Sequence, residues 1–554
     1  MTLTEMSNNV LKDYISSVLY IDDKIFKYRG REVDNEELPL KIIVPGREDV
    51  RVETERVEPS NLKESVSKFT SIDVNELTQV FAEEGVLCSL YQPDGNVPTS
   101  IVRKADVLVL DWQINNDNGG QAKDIILSMK DALLQGLHLF VIWTNDFSNR
   151  SSILNEIESA LGSHDAIVNK GDCIEIGQSK IFLIGKATKE ENSDLGQSSS
   201  DLAVQKASVK SLPQVIFNLL SNMTEGLVSN TMIKAISILK ENSAKLLSTF
   251  NKKLDCAYLA HRAMCPNPED GEHLLLKMIG DSFTPLLSSS SVVKYCGMDS
   301  VELWLDENIG ADFSKQVDSG GKNVNLSLSD LKLWMKNGYV SLLMEKAQKL
   351  TFTSKSSMTE EERRRQWIKD AGRNSMKKWA MTVFPHTEGD NGHAEFARLS
   401  SSCSVIEDNY VPFLTLGSVI QLENEAAGKP QFVCIQQRCD SVRLGSEVRN
   451  FLFLPIKNEA ASGDLPIMIS DTKKYVSMKS YDITVIPFVK TEGCDIVRAW
   501  RNGNGKFMYT DNSNQQYRWL YDLKDSHAQR ISDKYTSVLS RVGLDESEWL
   551  RREK

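Results

Sequence analysis

Nine cysteines are scattered through 554 residues with no Cys-x-x-Cys pair, which argues against a disulfide framework and against the common zinc ribbons. The closest approach to metal spacing, Cys256, His261 and Cys265, lacks a fourth ligand. No apolar run approaches 18 residues, so no membrane span and no membrane partner are expected. The opening MTLTEMSNNVLKDY has neither a basic region nor a long apolar one, so no signal peptide is expected and the cytoplasm is the expected compartment. Basic residues number 65 against 76 acidic ones, and the net charge of -11 argues against wholesale coating of nucleic acid. Nucleic acid stays a partner only through a local patch and is not the favoured one. A P-loop is missing too. Its nearest approach, Gly185-Lys186, has Ala187 next and Lys180 where the first glycine belongs.

What is present is a globular composition, 41% hydrophobic and 25% charged, in a chain long enough for two to four domains. The organising stretch is Ala105 to Gly120, ADVLVLDWQINNDNGG. Its run Val107 to Leu110 stops at Asp111, the pattern of a strand buried on both faces whose C-terminal end opens onto solvent. In an open parallel α/β sheet, ligands bind at that end. SVLYI at 17–21 closes in Asp22 and Asp23, and residues 27–60 are a charged insertion with a hairpin expected around LKIIV and VRVETERV. A helical pattern follows at 61–84, with Val66, Phe69, Val74, Leu77 and Phe81 as inner positions. Strands are expected at Val86 to Tyr91, at Leu137 to Trp143 before Thr144, and at Ala166 to Val168 before Lys170. Strand and helix alternate five times, which calls for a five-stranded parallel sheet wound on both faces.

These residues resemble the receiver domain of bacterial two-component response regulators, over residues from about 10 to 185. The acidic pair is Asp22 and Asp23, the phosphoacceptor Asp111, the hydroxyl residue Thr144 and the basic residue Lys170. Gly119 stands eight residues after Asp111, where the family carries a loop glycine. Gly171 follows Lys170 in place of proline, Ile167 replaces an aromatic residue three positions earlier, and Asn145 replaces a small one. The resemblance implies a flavodoxin-like fold and a Mg2+ ion held by Asp22, Asp23, Asp111 and the backbone carbonyl of Gln113. It also implies a phosphodonor partner, a histidine kinase or related ATPase. Three converging carboxylates cannot all stay ionised without compensation, and a hard cation with oxygen ligands resolves this. A haloacid-dehalogenase-type phosphatase would need an Asp at position 113, where Gln stands.

Beyond a receiver at 1–190, the expected organisation is a linker at 191–212, a helical domain at 213–385 and a β-rich barrel or sandwich at 386–554 with a C-terminal helix at about 526–542. CIEIGQSKIFLIGKA at 173–187 reads as a hairpin. Met232, Ile233, Ile236 and Leu239 form one helical stripe, and Leu274, Leu275, Met278 and Ile279 another; Asp318 to Lys322 reads as a flexible break. The segment 359–380 carries seven bases with Trp367 and Trp379 interleaved, more simply a solvated face over core tryptophans than a nucleic-acid contact. Short apolar strands follow at 413–422, 431–436, 450–456, 465–470 and 481–489, then an NGNG turn at 502–505. Weak reactive candidates there are Cys439, Asp440 and Arg443, since a neighbouring cation lowers a thiol pKa. His386 and His393 are weak ligand candidates. The expected function is a response-regulator-like signalling protein, and its large output part resembles bacterial stress or anti-phage defence modules more than a transcription factor. Two alternatives stay open. One is an effector enzyme with its catalytic site in the β-rich domain, gated by the receiver; the other is a docking scaffold that is never phosphorylated.

Overall fold

The computed structural model describes residues 2–23, 25, 73–93, 97–187, 206–265, 269–352, 358–385, 392–403, 410–423, 428–442 and 444–540. The expected hairpin within 27–60, Val66, Phe69, His386 and Arg443 lie outside the described residues. The chain forms two compact units, the first mainly from residues up to Ile368 and the second mainly from Lys369 onward. No described helix is long and apolar enough to cross a membrane.

The first unit is built on a mixed sheet: β1 Ser17–Ile21, β2 Leu87–Tyr91, β3 Val107–Leu110, β4 Leu139–Thr144, β5 Ile167–Asn169, β6 Cys173–Ile176, β7 Ser179–Lys186 and β8 Lys206–Ala207. Its order is β2-β1-β3-β4-β7-β6-β5, with β8 pairing β7. β2, β1, β3, β4 and β7 run parallel, while β6 is antiparallel to both β7 and β5. The expectation of five parallel strands ending in 166–168 is therefore corrected. β5 sits at the far edge of a hairpin-extended sheet, and β7 takes the parallel place beside β4. The cause lies in the apolar runs: β7 carries Ile181 to Ile184, all buried, whereas β5 buries only Ile167. The longer run gains more from the central position.

Alternation along the strands separates two cores. Leu19, Ile21, Leu108, Leu110, Phe140 and Ile142 pack with Ile125, Ile126, Ile153 and Leu154 from the helices Gly120–Ser128 and Arg150–Leu161. On the other face Val18, Tyr20, Val109, Val141 and Trp143 pack with Leu11, Leu77, Phe81, Ile216 and Phe217. Ile216 and Phe217 belong to the helix Leu212–Thr224, which covers the sheet. So the core takes in Ala207 and Leu212, at the end of the stretch expected to be a linker, and the start of the expected helical domain: β8 pairs with β7, and the next helix closes the sheet.

The helix Leu227–Glu241 buries Asn230, Lys234 and Ser237, not the expected stripe, and leaves Met232 exposed. It docks on the helix Leu3–Tyr14 by polar bonds. Asn230 donates to Ser7 Oγ at 2.8 Å, Lys234 to Asp13 at 2.7 Å and Ser237 to the Asp13 carbonyl at 2.9 Å. The segment 318–322 is not a flexible break but the turn between β9 Ser314–Ser319 and β10 Lys322–Ser327.

The second unit carries an antiparallel sheet: β11 Ser418–Leu422, β12 Gln431–Cys434, β13 Val448–Lys457, β14 Leu465–Ile469, β15 Thr472–Val476, β16 Thr484–Val489, β17 Trp500–Arg501, β18 Phe507–Thr510 and β19 Gln516–Asp522. The order is β14-β15-β13-β12-β11-β19-β18-β17, with β16 also on β13. A bridge between Phe488 and Asp511 links β16 to the end of β18, so the pairing β13-β12-β11-β19-β18-β16 returns to its start. Phe451, Phe453, Phe488, Tyr509 and Tyr517 fill one side, and the helix Asp525–Leu539 covers the other with Ala528, Ile531 and Tyr535.

Candidate functional site

Parallel register brings four strand ends together. Ile21 pairs with Leu110 and Leu110 with Ile142, and the Asp111 N–H donates to the Ile21 carbonyl at 2.9 Å. The next residues, Asp22, Asp23 and Asp111, are all buried, with carboxylate oxygens within 4.8 Å of one another. Thr144 is fully buried at the end of β4 and pairs in register with Gly185, one residue before Lys186.

Lys186 is the base at this site. Its Nζ lies 3.1 Å from Asp22 Oδ2 and 3.2 Å from Asp111 Oδ1, over the Trp143 ring at 5.4 Å from the centroid. Lys170 stands elsewhere, 51% exposed and 3.5 Å from Glu175 on the β5–β6 hairpin. The structure thus places Lys186, and not Lys170, beside the carboxylates, because the strand beside β4 is β7 and not β5. The signal was present, an apolar run IFLIG ending in lysine, but it reads first as half of a hairpin. Three residues before Lys186 stands Leu183, and Ala187 follows it.

Tyr20, fully buried on β1, donates its hydroxyl to Asp22 Oδ2 at 2.5 Å. Burial first, then the neighbouring Asp22 carboxylate, pushes the Tyr20 hydroxyl well above its ordinary pKa, so it remains a donor. Asp23 Oδ1 is buried with no hydrogen-bond partner among the described residues. Among the described residues three carboxylates face one ammonium, and the orphaned Asp23 oxygen beside them suits a divalent, oxygen-seeking cation.

The loop after Asp111 is shaped by left-handed residues. Asn115, Asn116, Asn118 and Gly119 have φ of 54°, 55°, 55° and 81°. Asparagine tolerates this region and glycine favours it. Asp117 holds the turn by accepting from the N–H groups of Gly119 at 3.1 Å and Gln121 at 2.5 Å. A Cβ on Gly119 would stand 2.1 Å from the buried Trp112 ring. The Gln113 carbonyl accepts from the Asn116 N–H at 3.4 Å. Thr144 Oγ1 accepts from the Asp146 N–H at 3.1 Å, and its own proton remains to donate.

The other candidates do not form sites of this kind. Cys439 is exposed on the helical turn Arg438–Ser441, and Asp440 accepts from Gln436 at 3.2 Å. Asp22, Asp23 and Asp111 are the one group of acids, histidines or cysteines with metal-binding spacing among the described residues, which leaves Cys256, His261 and Cys265 unassembled. On the helix Glu360–Asn374, Arg364 and Arg365 pair with Glu360 and Glu361 one turn back, and Trp367 is buried against Phe352. That is the solvated face over a core tryptophan.

A parallel sheet with an acidic pocket, a hydroxyl and a lysine at its C-terminal edge defines a receiver-type α/β domain. Residues 14–191 match the family described as the response receiver domain, so this part of the chain is a receiver domain. No curated protein and no solved structure matches the chain.

Proposed function

We propose that the protein is a cytoplasmic, phosphorylation-regulated signalling protein whose Asp111 accepts a phosphoryl group from a histidine kinase or related ATPase. The observation that carries this reading is Lys186 bridging Asp22 and Asp111 beside the unpartnered Asp23 oxygen. Asp22, Asp23 and Asp111 would hold Mg2+, with the Gln113 carbonyl as a further ligand. Such an ion supplies charge neutralisation for the phosphoryl oxygens.

The chain's own residues then divide the work. An Asp111 carboxylate oxygen attacks phosphorus; the new P–O bond forms as the bond from phosphorus to the donor nitrogen breaks, and the leaving imidazole keeps the electron pair. The Lys186 ammonium offsets the charge on the transferring group. Tyr20 holds one oxygen of Asp22 and fixes the rotation of that carboxylate. The Thr144 hydroxyl donates to a phosphoryl oxygen once the group is attached. Added charge at Thr144 and Lys186 re-aims a few hydrogen bonds and biases an existing equilibrium of the docked helices.

Incubation with acetyl phosphate and Mg2+ tests the reading. An acid-stable, base-labile adduct on Asp111 is expected, absent from Asp111→Asn and absent when Mg2+ is chelated. Labelling that persists in Asp111→Asn overturns the assignment.

A further inference from the structure

From Ser243 to Leu287, Cys265–Asn267 apart, the first unit carries an arm of helices that bury almost none of their described residues. Its helices are Ser243–Thr249, Asp255–Met264 and Glu269–Leu287, yet Gly271 is the only buried residue among those described in this stretch. The two longer helices meet at that glycine. A Cβ there would stand 3.3 Å from Arg262 Cβ, and Arg262 donates to Glu272 at 2.6 Å. Leu247, Leu259, Met264 and Leu276 are more than half exposed, and Leu274 and Met278 are more than two-fifths exposed. The expected inner positions Leu274 and Met278 therefore face solvent. Short helices take their stability from packing an apolar face, not from propensity, and apolar side chains left exposed on such helices ask for a partner to cover them.

Charge selects the partner. The first limb of the arm, up to Met264, carries Lys245, Lys252, Lys253 and Arg262 against Asp255 alone. The second limb carries Glu269, Asp270, Glu272 and Asp281 against Lys277 alone. A nucleic acid or an anionic membrane would be repelled by the second limb. A second copy of the same arm, turned about a twofold axis, sets each basic limb against an acidic one and covers both sets of leucines. We propose that the arm is a dimerisation element, closing a helical bundle with the arm of a second copy of this chain, first limb against second limb. This is independent of phosphoryl transfer at Asp111.

Sedimentation velocity of the full chain, in reducing agent and without phosphodonor, tests the proposal. A dimer is expected. Leu259→Glu with Leu276→Glu should give a monomer of unchanged helical circular dichroism. The charge variants Lys252→Glu/Lys253→Glu and Glu272→Lys/Asp281→Lys, whose side chains lie on the arm surface, should each weaken dimerisation roughly tenfold or more. Mixing the two charge variants in equal amounts should restore it, because reversed limbs again meet opposite signs. A wild-type monomer at the highest soluble concentration overturns the proposal. So does a dimer that survives the leucine substitutions, or a mixture that stays monomeric.

Discussion

Enclosed carboxylates occur in both units, buried in the first and half-buried in the second, and the two settings answer the same electrostatic problem differently. In the receiver, Asp22, Asp23 and Asp111 crowd within 4.8 Å around one lysine, and one Asp23 oxygen has no partner among the described residues. In the barrel, neutral donors reach Asp522, with Arg438 as a neighbouring cation. Trp519 Nε1 donates to Oδ1 and the Tyr410 hydroxyl to Oδ2, each at 3.1 Å, and Ser418 donates as well. Burial raises the Asp522 carboxyl above its ordinary pKa despite these bonds. A lone acid can relieve burial by keeping its proton and remain structural. Three acids share the receiver pocket with one ammonium, and an Asp23 oxygen there has no partner among the described residues, which is why the first cluster reads as a site and the second as a structural feature.

Removing the lysine breaks the comparison most severely. Lys186→Ala leaves Asp22 and Asp111 buried without their shared cation and should cost about 3 kcal/mol or more of folding stability in metal-free buffer, measured by urea denaturation. Lys170→Ala, which loses only a surface pair, should stay within about 0.5 kcal/mol. Equal effects of the two would return the basic role to Lys170. Next in size is Gly119→Ala, which meets both an unfavourable positive φ and the Trp112 ring, and should cost about 2 kcal/mol in thermal or urea unfolding. A neutral result there would mean that the Asp111 loop adapts freely.

Asp23→Asn sharpens the charge argument through opposite signs. Without metal the variant should be about 1 kcal/mol more stable than wild type, because one uncompensated buried charge is gone. Added Mg2+ should raise the wild-type Tm by mass action but leave the variant unmoved. A wild-type Tm indifferent to Mg2+ would remove the reason for treating the pocket as a metal site.

The smallest effect belongs to Asp522. A carboxyl whose folded-state pKa lies above its unfolded value contributes stability that is fully present below the unfolded pKa and is lost as pH rises through the folded one. Asp522→Asn should therefore change neutral-pH stability by no more than about 1 kcal/mol and flatten the decline that sets in as pH rises above the ordinary carboxylate range. A variant with the same pH profile as wild type would show that Asp522 is ionised and paired in the fold.

Part of the fold is legible in short stretches. VLVLD, SVLYIDD and the run before Thr144 each announce a buried strand ending in a polar residue, and these three strands lie side by side as expected. The barrel strands rich in aliphatic residues were equally readable. β15 and β19, TKKYV and QYRWLYD, were not, because their polar and aromatic residues dilute the alternation that marks a half-buried strand. The stripe on Leu227–Glu241 misleads for a related reason. Asn230, Lys234 and Ser237 are buried by bonds to Ser7 and Asp13, more than 220 residues away in the chain, and no local periodicity encodes those partners.

By itself the sequence determined which residues end strands: Asp22, Asp23, Asp111 and Thr144 follow apolar runs, and that is a matter of local burial and period. Only the tertiary structure decided which lysine meets them. Lys170 and Lys186 both close apolar stretches, and fifteen residues of chain separate them. Strand order chose between them, since a strand is placed beside β4 by the whole area it buries on both faces and by the hairpin that carries β5 away to the edge. Such a choice is a competition between long-range pairings, whose energies belong to the assembled sheet and to no single segment of the chain.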